Sequence, residues 1–172
     1  MFNTAASFRA AMTGIAAVRG LRHIYVAAHG DTDAIYGAGG NHRVPLNIIL
    51  QSVQDVASTP QSTLSGIYFG ACAIGRERTA HKLLGGEHGE QAGLKWIAGY
   101  SKDADWTTSS AVDFVFWDSY LRAVDPDLEA LSDHKAVFKA AETVGRLMSG
   151  AVDLLGFNVY VRERGAVRGL LA

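Results

Sequence analysis

The sequence predicts an α/β fold, a three-layer αβα sandwich around a mainly parallel central sheet. Short apolar runs of strand length alternate along the chain with longer segments whose apolar residues recur at helical spacing. Most of these runs are apolar at successive positions rather than at alternate ones, which is typical of strands covered by helices on both faces. Strands separated by helices favour a parallel sheet, because each helix carries the chain back across the sheet.

Five segments are predicted to be helical from apolar residues that recur every three or four positions. They cover residues 3–18, 45–57, 75–84, 107–124 and 128–148. The first ends before Gly20 and the fourth before Asp125 and Pro126, residue types that commonly follow the end of a helix. We expect the aromatic stripe of the fourth helix to face the core; it consists of Phe114, Trp117, Tyr120 and Leu121.

Four strands are predicted, at residues 21–28, 64–69, 94–98 and 157–161, the last with a short extension toward residue 171. Residues 31–45 are rich in glycine and contain a predicted hairpin around Gly39 and Gly40. These glycines follow neither the phosphate-loop nor the dinucleotide pattern, so we interpret them as a turn. Because no repeat, low-complexity tract or linker divides the chain, we predict one domain over residues 1–172.

Composition argues against several classes of protein. Of the 172 residues, 48% are hydrophobic and 19% are charged, which is sufficient for one core. The net charge of −1 gives no reason to expect nucleic acid or a membrane surface as a partner. The apolar runs are too short to span a bilayer and residues 1–11 do not resemble a secretory signal, so we expect a cytoplasmic protein. One cysteine makes no internal disulfide, and we expect neither a metal nor another cofactor.

Two residues with reactive side chains, His29 and Cys72, each come just after a predicted buried strand. Ligands of parallel sheets bind beyond the carboxyl ends of the strands, which is where both residues are expected. Two alternatives stay open: Cys72 as an ordinary buried thiol, and His29 as a ring that hydrogen-bonds the nearby backbone. Their shared position at strand ends favours a functional pair.

A thiol acts as a nucleophile when a base accepts its proton and a positive field stabilises the thiolate. His29 is the candidate base, and the N-terminus of the helix predicted near residue 75 is a candidate source of the field. Arg76 is close enough in sequence to help hold a thiolate. The backbone N–H groups of Gly30 and Cys72 are candidate donors to the oxyanion of an acyl-transfer reaction, provided that the two strands are neighbours.

The segments IYVAAHGD and GIYFGACAIG, about 43 residues apart, resemble the His-Gly and Ala-Cys blocks of caspase-like cysteine peptidases, the group known as clan CD. Within that group they are most similar to the CHAT domains of prokaryotes. The later segment WIAGYSKDADWTTSSAVDFVFWDSY is similar to the strand, loop and aromatic helix that follow the Cys block there. The resemblance covers roughly residues 20–122.

This resemblance implies a caspase-like fold and a cysteine endopeptidase that cleaves a protein or peptide substrate. It implies that His29 is the general base and acid, that Cys72 is the nucleophile and that Gly30 belongs to the oxyanion hole. A regulatory protein is a second candidate partner. The resemblance also implies an acidic residue that holds a basic P1 side chain of the substrate, and the candidates are Asp31, Asp33, Asp103 and Asp105.

One feature departs from the family pattern. The family usually opens with another core strand before the first helix, whereas this sequence opens in that helix. Two alternatives therefore stay open. One is a catalytically silent caspase-like interaction module that needs a partner to complete its sheet. The other is a cysteine hydrolase that acts on a small amide or ester.

Overall fold

The computed structural model describes residues 2–18, 20, 23–37, 40–60, 62–86 and 93–171. These residues form six helices and eight strands. The helices are α1 (Ala5–Ala16), α2 (Leu46–Ala57), α3 (Glu77–Leu84), α4 (Trp106–Val124), α5 (Asp133–Leu147) and α6 (Ser149–Leu155). The strands are β1 (His23–Ala27), β2 (His29–Gly30), β3 (Ala34–Tyr36), β4 (Arg43–Pro45), β5 (Gly66–Gly70), β6 (Trp96–Tyr100), β7 (Phe157–Glu163) and β8 (Ala166–Gly169).

Five strands form the main sheet, in the order β1-β5-β6-β7-β8. The first three are parallel to one another, whereas β7 runs antiparallel to β6 and β8 antiparallel to β7. The predicted mainly parallel sheet is therefore confirmed only in part: its first three strands are parallel, but the sheet is mixed because β7 and β8 form an antiparallel hairpin. In the described part of the chain, no strand pairs with the outer edge of β1.

Alternate residues of the central strands point into two separate cores on the two faces of the sheet. One core packs α1, α2 and α3 against side chains such as Ile24, Ile67 and Ile97. The other packs α4, α5 and α6 against side chains such as Tyr68 and Trp96. Helices on both faces explain why β5 and β6 are apolar at successive positions. The protein is thus an α/β structure compatible with a three-layer sandwich.

A second, smaller sheet directly follows β1. Its strands β2, β3 and β4 are antiparallel, and β4 leads directly into α2. The hairpin predicted in residues 31–45 is formed by β3 and β4, although Gly39, at its predicted turn, lies outside the described residues. The same applies to residues 21–22 of the first predicted strand.

The aromatic stripe predicted for α4 faces the core only in part. Tyr120 is fully buried, and Trp117 packs against side chains of β1 and β5. Phe114 and Leu121 are instead exposed, with 73% and 56% of their surfaces accessible, so the prediction for these two is wrong. The helix buries a different face, on which Val112, Phe116 and Tyr120 repeat every four residues.

A polar cluster joins the start of α5 to β1. The Asp133 carboxylate accepts hydrogen bonds from Tyr120 and lies 3.1 Å from His23 Nε2. Only 10% of the Asp133 side chain is exposed. Burial acts to raise the pKa of this carboxyl, but the hydrogen bonds from His23 and Tyr120 outweigh it and lower the pKa to about 2. The cluster therefore favours the folded protein whenever Asp133 is ionised.

None of the helices in the described part of the chain is both long and apolar enough to cross a membrane.

We predict that Asp133→Asn lowers the free energy of unfolding at pH 7 by about 1–2 kcal/mol, because the folded-state pKa of about 2 lies below the ordinary value of 3.8. A depressed carboxyl pKa stabilises the fold fully above the unfolded value, and the contribution is lost as the pH falls toward the folded value. Urea unfolding from pH 7 to pH 3 should therefore show the two proteins converging. Asp118→Asn, in an exposed pair with Arg122, is the matched control. A difference that stays constant across this pH range would contradict the prediction.

Candidate active site

His29 and Cys72 line the same pocket because the two strands that precede them are neighbours. β1 and β5 pair in parallel register up to Ala27 and Gly70, and each reactive residue follows two positions later. Both side chains line one small pocket, whose volume of about 30 Å³ leaves room for one or two water molecules. The prediction that the strand ends bring these residues together agrees with this arrangement.

The turn after β5 that carries Cys72 is held by the end of β6. Ala73, the next residue, has a φ of 56°, which is uncommon for a residue other than glycine. Its N–H donates to the carbonyl of Lys102 at 3.1 Å, and the N–H of Gly75 donates to the carbonyl of Tyr100 at 2.9 Å. Gly75 also packs so closely on Gly99 that a Cβ there would lie 2.3 Å from the Gly99 backbone. The sulfur is therefore placed by contacts with the neighbouring strand.

The predicted sources of positive charge lie away from the sulfur. The helix expected near residue 75 begins at Glu77, so a turn separates its N-terminus from Cys72. The Arg76 guanidinium donates to the carbonyl of Thr32 and lies 3.6 Å from Asp33. Its guanidinium is therefore engaged with the loop between β2 and β3.

The sulfur has backbone partners instead. Cys72 is half-buried, and its Sγ accepts a hydrogen bond from the N–H of Ala104 at 3.2 Å. The carbonyl of Ala104 lies 3.6 Å from Sγ and can accept the thiol proton. One residue thus offers a donor to the thiolate and an acceptor to the thiol. In the described part of the chain, no hydrogen bond joins Cys72 to His29.

His29 is exposed and lies at the start of the small sheet. Its ring packs edge-to-face against the indole of Trp106, with ring centroids 5.8 Å apart and planes at 83°. Gly30, the next residue, runs directly against the turn after β5. A Cβ at this position would lie 2.8 Å from the carbonyl oxygen of Cys72 and 3.2 Å from the Cβ of Ala71, so only glycine fits without displacement.

An unpredicted acid, Asp113 of α4, also lines the pocket. Its carboxylate accepts hydrogen bonds from three tyrosines at neighbouring strands, Tyr25 in β1, Tyr68 in β5 and Tyr100 in β6. Gly70 makes room for the first of these, because a Cβ there would lie 2.4 Å from the Tyr25 hydroxyl. The pKa of each of the three phenols is raised, mainly by burial and further by the nearby carboxylate.

The four acids predicted from the resemblance lie elsewhere. Asp31 accepts from the Tyr36 hydroxyl at 2.5 Å, which lowers the pKa of its carboxyl, and Asp33 faces Arg76. Asp103 is exposed outside the pocket lining. Asp105 caps α4, where the N–H of Thr108 donates to its carboxylate at 2.9 Å and lowers its pKa. None of the four is among the residues that line the pocket with Cys72.

Asp113 escapes prediction from the sequence because the aromatic stripe suggests a different buried face for α4. Ser109, Asp113 and Phe116 recur at the helical spacing that continues to the buried Tyr120. A carboxylate on the buried face of a helix is costly unless it is hydrogen-bonded, so its presence there indicates nearby donors. The spacing of Asp113 with these buried residues is therefore the feature of the sequence that indicates its position.

No protein-family model matches this sequence, and no curated protein is significantly similar to it.

We predict that Asp113→Asn lowers the pKa of Tyr25 toward that of an ordinary phenol. The substitution removes the hydrogen-bonded negative charge, whereas burial of the ring remains and keeps part of the increase. Alkaline titration followed by the near-ultraviolet absorbance of phenolate measures the change. The same pair of titrations in a Tyr25→Phe background isolates Tyr25 from the other phenols. Identical titration curves for the wild-type protein and Asp113→Asn would show that the carboxylate does not act on this ring.

Proposed function

We propose that the protein is a cysteine endopeptidase of caspase-like architecture, with its closest resemblance to CHAT domains. The observation that carries the proposal is the pocket shared by His29 and Cys72 at the carboxyl ends of two neighbouring parallel strands. Ligands bind at that edge of α/β sheets, and a thiol beside an imidazole is the minimum that nucleophilic acyl transfer requires. Its substrate is a protein or peptide in the cytoplasm, and the chemistry needs no cofactor.

In the proposed reaction, His29 accepts the thiol proton and Cys72 Sγ attacks the carbonyl carbon of the scissile peptide bond. The carbonyl oxygen takes the negative charge and receives hydrogen bonds from the N–H groups of Gly30 and Cys72. His29 then donates its proton to the leaving amine, and the C–N bond breaks. Water, deprotonated by His29, hydrolyses the thioester and releases the free thiol.

The same pocket supports a preference for a basic P1 side chain. Asp113 is the carboxylate that lines it with Cys72, and a guanidinium or ammonium beside it would gain a charge-assisted hydrogen bond. A volume of about 30 Å³ does not admit such a side chain, so binding requires rearrangement of the lining.

A catalytically silent interaction module is the second candidate. Two observations favour it: Cys72 Sγ bonds to Ala104 rather than to His29, and the outer edge of β1 has no strand partner in the described part of the chain. Hydrogen bonds of a catalytic pair are often long in the absence of substrate, which leaves the peptidase as the first candidate. An acyloxymethyl ketone probe separates the two, since it labels a catalytic thiol and leaves an inert one unmodified.

We predict that fluorogenic peptides with Arg or Lys at P1 are cleaved, and that Cys72→Ala and His29→Ala each reduce kcat at least about 100-fold. Peptides with Asp at P1 should be poor substrates. Asp113→Asn should lower kcat/KM for the basic peptides about tenfold or more, because the proposed partner of the P1 charge is lost. Asp103→Asn, which changes an exposed acid outside the pocket, is the matched control.

Cleavage that survives both Cys72→Ala and His29→Ala would overturn the proposed mechanism. Equal cleavage of peptides with Arg, Lys and Asp at P1 would overturn the role of Asp113 while leaving the dyad in place. Labelling of Cys72 without cleavage of any peptide would favour a hydrolase of small amides or esters.

A further inference from the structure

Among the described residues, the His29 imidazole lacks the hydrogen bond that usually holds the ring of a general base. A general base must keep one ring nitrogen directed at the proton it accepts, and a hydrogen bond to the other nitrogen normally holds the ring. Among the described residues, no hydrogen bond reaches either ring nitrogen of His29. The only aromatic ring that packs against it in that part of the chain is Trp106, edge-to-face at 5.8 Å.

Trp106 is well placed to hold a neighbouring ring, because its backbone is fixed although its side chain is exposed. It is the first residue of α4, a helix of 19 residues. Asp105 caps this helix through the N–H of Thr108, and the Tyr100 hydroxyl donates to the carbonyl of Ser109 at 2.9 Å. The helix start is thereby attached to the end of β6, and the indole has only its side-chain torsions with which to move.

The residues just before the indole contact the other member of the pair. Ala104 donates its N–H to Cys72 Sγ, and Trp106 packs on His29. A segment of three residues, 104–106, therefore touches both groups of the proposed dyad. Cys72 itself lies in the turn after β5, and His29 lies in the small sheet, so both come from parts of the chain distant from this segment.

With 61% of its surface accessible, Trp106 contributes little to the core. Its exposed position beside an exposed imidazole is consistent with a contact that serves the site, because edge-to-face aromatic pairs have a preferred geometry and so restrict rotation of both rings.

We propose that Trp106 is a positioning residue that orients the His29 imidazole toward Cys72, a role that rests on the proposed peptidase function. It acts through His29 and does not itself react. Removing the indole frees the imidazole to rotate into solvent, and misplacement of a general base reduces the chemical step more than it reduces substrate binding.

The test compares Trp106→Ala with Trp106→Phe in the full chain, with Phe114→Ala as the control for removing an exposed aromatic side chain from the same helix. For a peptide with Arg at P1, Trp106→Ala should lower kcat about tenfold or more and leave KM within about twofold. Trp106→Phe should retain most of kcat, because a phenyl ring still packs edge-to-face. Phe114→Ala should retain wild-type values, and thermal unfolding should show that all three variants are folded.

A second readout does not depend on cleavage. The ring protons of His29, identified in NMR spectra by their loss in His29→Gln, feel the ring current of the indole and should shift in Trp106→Ala but remain in place in Phe114→Ala. Unchanged His29 signals in Trp106→Ala, or a kcat within twofold of wild type, would overturn the proposal. A rise in KM at constant kcat would also overturn it, since that result makes Trp106 a substrate contact. A wild-type protein that cleaves no peptide, with His29 signals that respond to Trp106→Ala, would count against the peptidase while leaving the contact between His29 and Trp106 established.

Discussion

One carboxylate, that of Asp113, connects the main elements around the pocket. It accepts hydrogen bonds from tyrosines of β1, β5 and β6, and so attaches the middle of α4 to all three parallel strands. Asp113 is half-buried, and a carboxylate withdrawn from water is tolerable only when its oxygens are hydrogen-bonded, so losing these donors would destabilise the fold. The three strands and the helix must therefore keep their relative positions for the cluster to persist.

The residues proposed to react lie just beyond this cluster, on segments that fold back onto it. Cys72 follows Gly70, whose missing side chain lets the Tyr25 hydroxyl reach Asp113. Trp106 opens the same helix that carries Asp113, seven positions earlier. The same hydrogen bonds to Asp113 thus attach α4 to the sheet and support the shape of the pocket. A change that disturbs the Asp113 cluster therefore also disturbs the pocket.

Much of the architecture could be predicted from local sequence. The central strands are apolar at successive positions, and they emerged in the structure within a few residues of their predicted bounds. The juxtaposition of His29 and Cys72 required only the rule that parallel strand ends meet at one edge. By contrast, β7 runs antiparallel to β6 because of the path that the chain takes through α5 and α6. The periodicity and composition of the β7 sequence do not indicate whether the strand is parallel or antiparallel.

The parts of the site that escaped prediction depend on contacts between distant residues. Asp113 is an ordinary acid in the sequence, and its three partners come from strands up to 88 positions away. The acids near the motifs, such as Asp33 and Asp105, are engaged in an ion pair and a helix cap instead. An acid that is close in sequence to a reactive residue need not line the same pocket, because turns direct neighbouring side chains to different surfaces.

The positive φ of Ala73 has a consequence for the order in which the site forms. A left-handed backbone at a residue with a Cβ costs on the order of 1 kcal/mol and persists only where other contacts compensate. The compensating bonds run to Lys102 and Tyr100, about 30 residues further along the chain. A folding chain that has paired β1 with β5 but has not yet added β6 lacks them, so its turn relaxes and its thiol has no set direction. The position of the sulfur therefore depends on β6 being docked, and any state of the chain that lacks this strand has no fixed direction for its thiol.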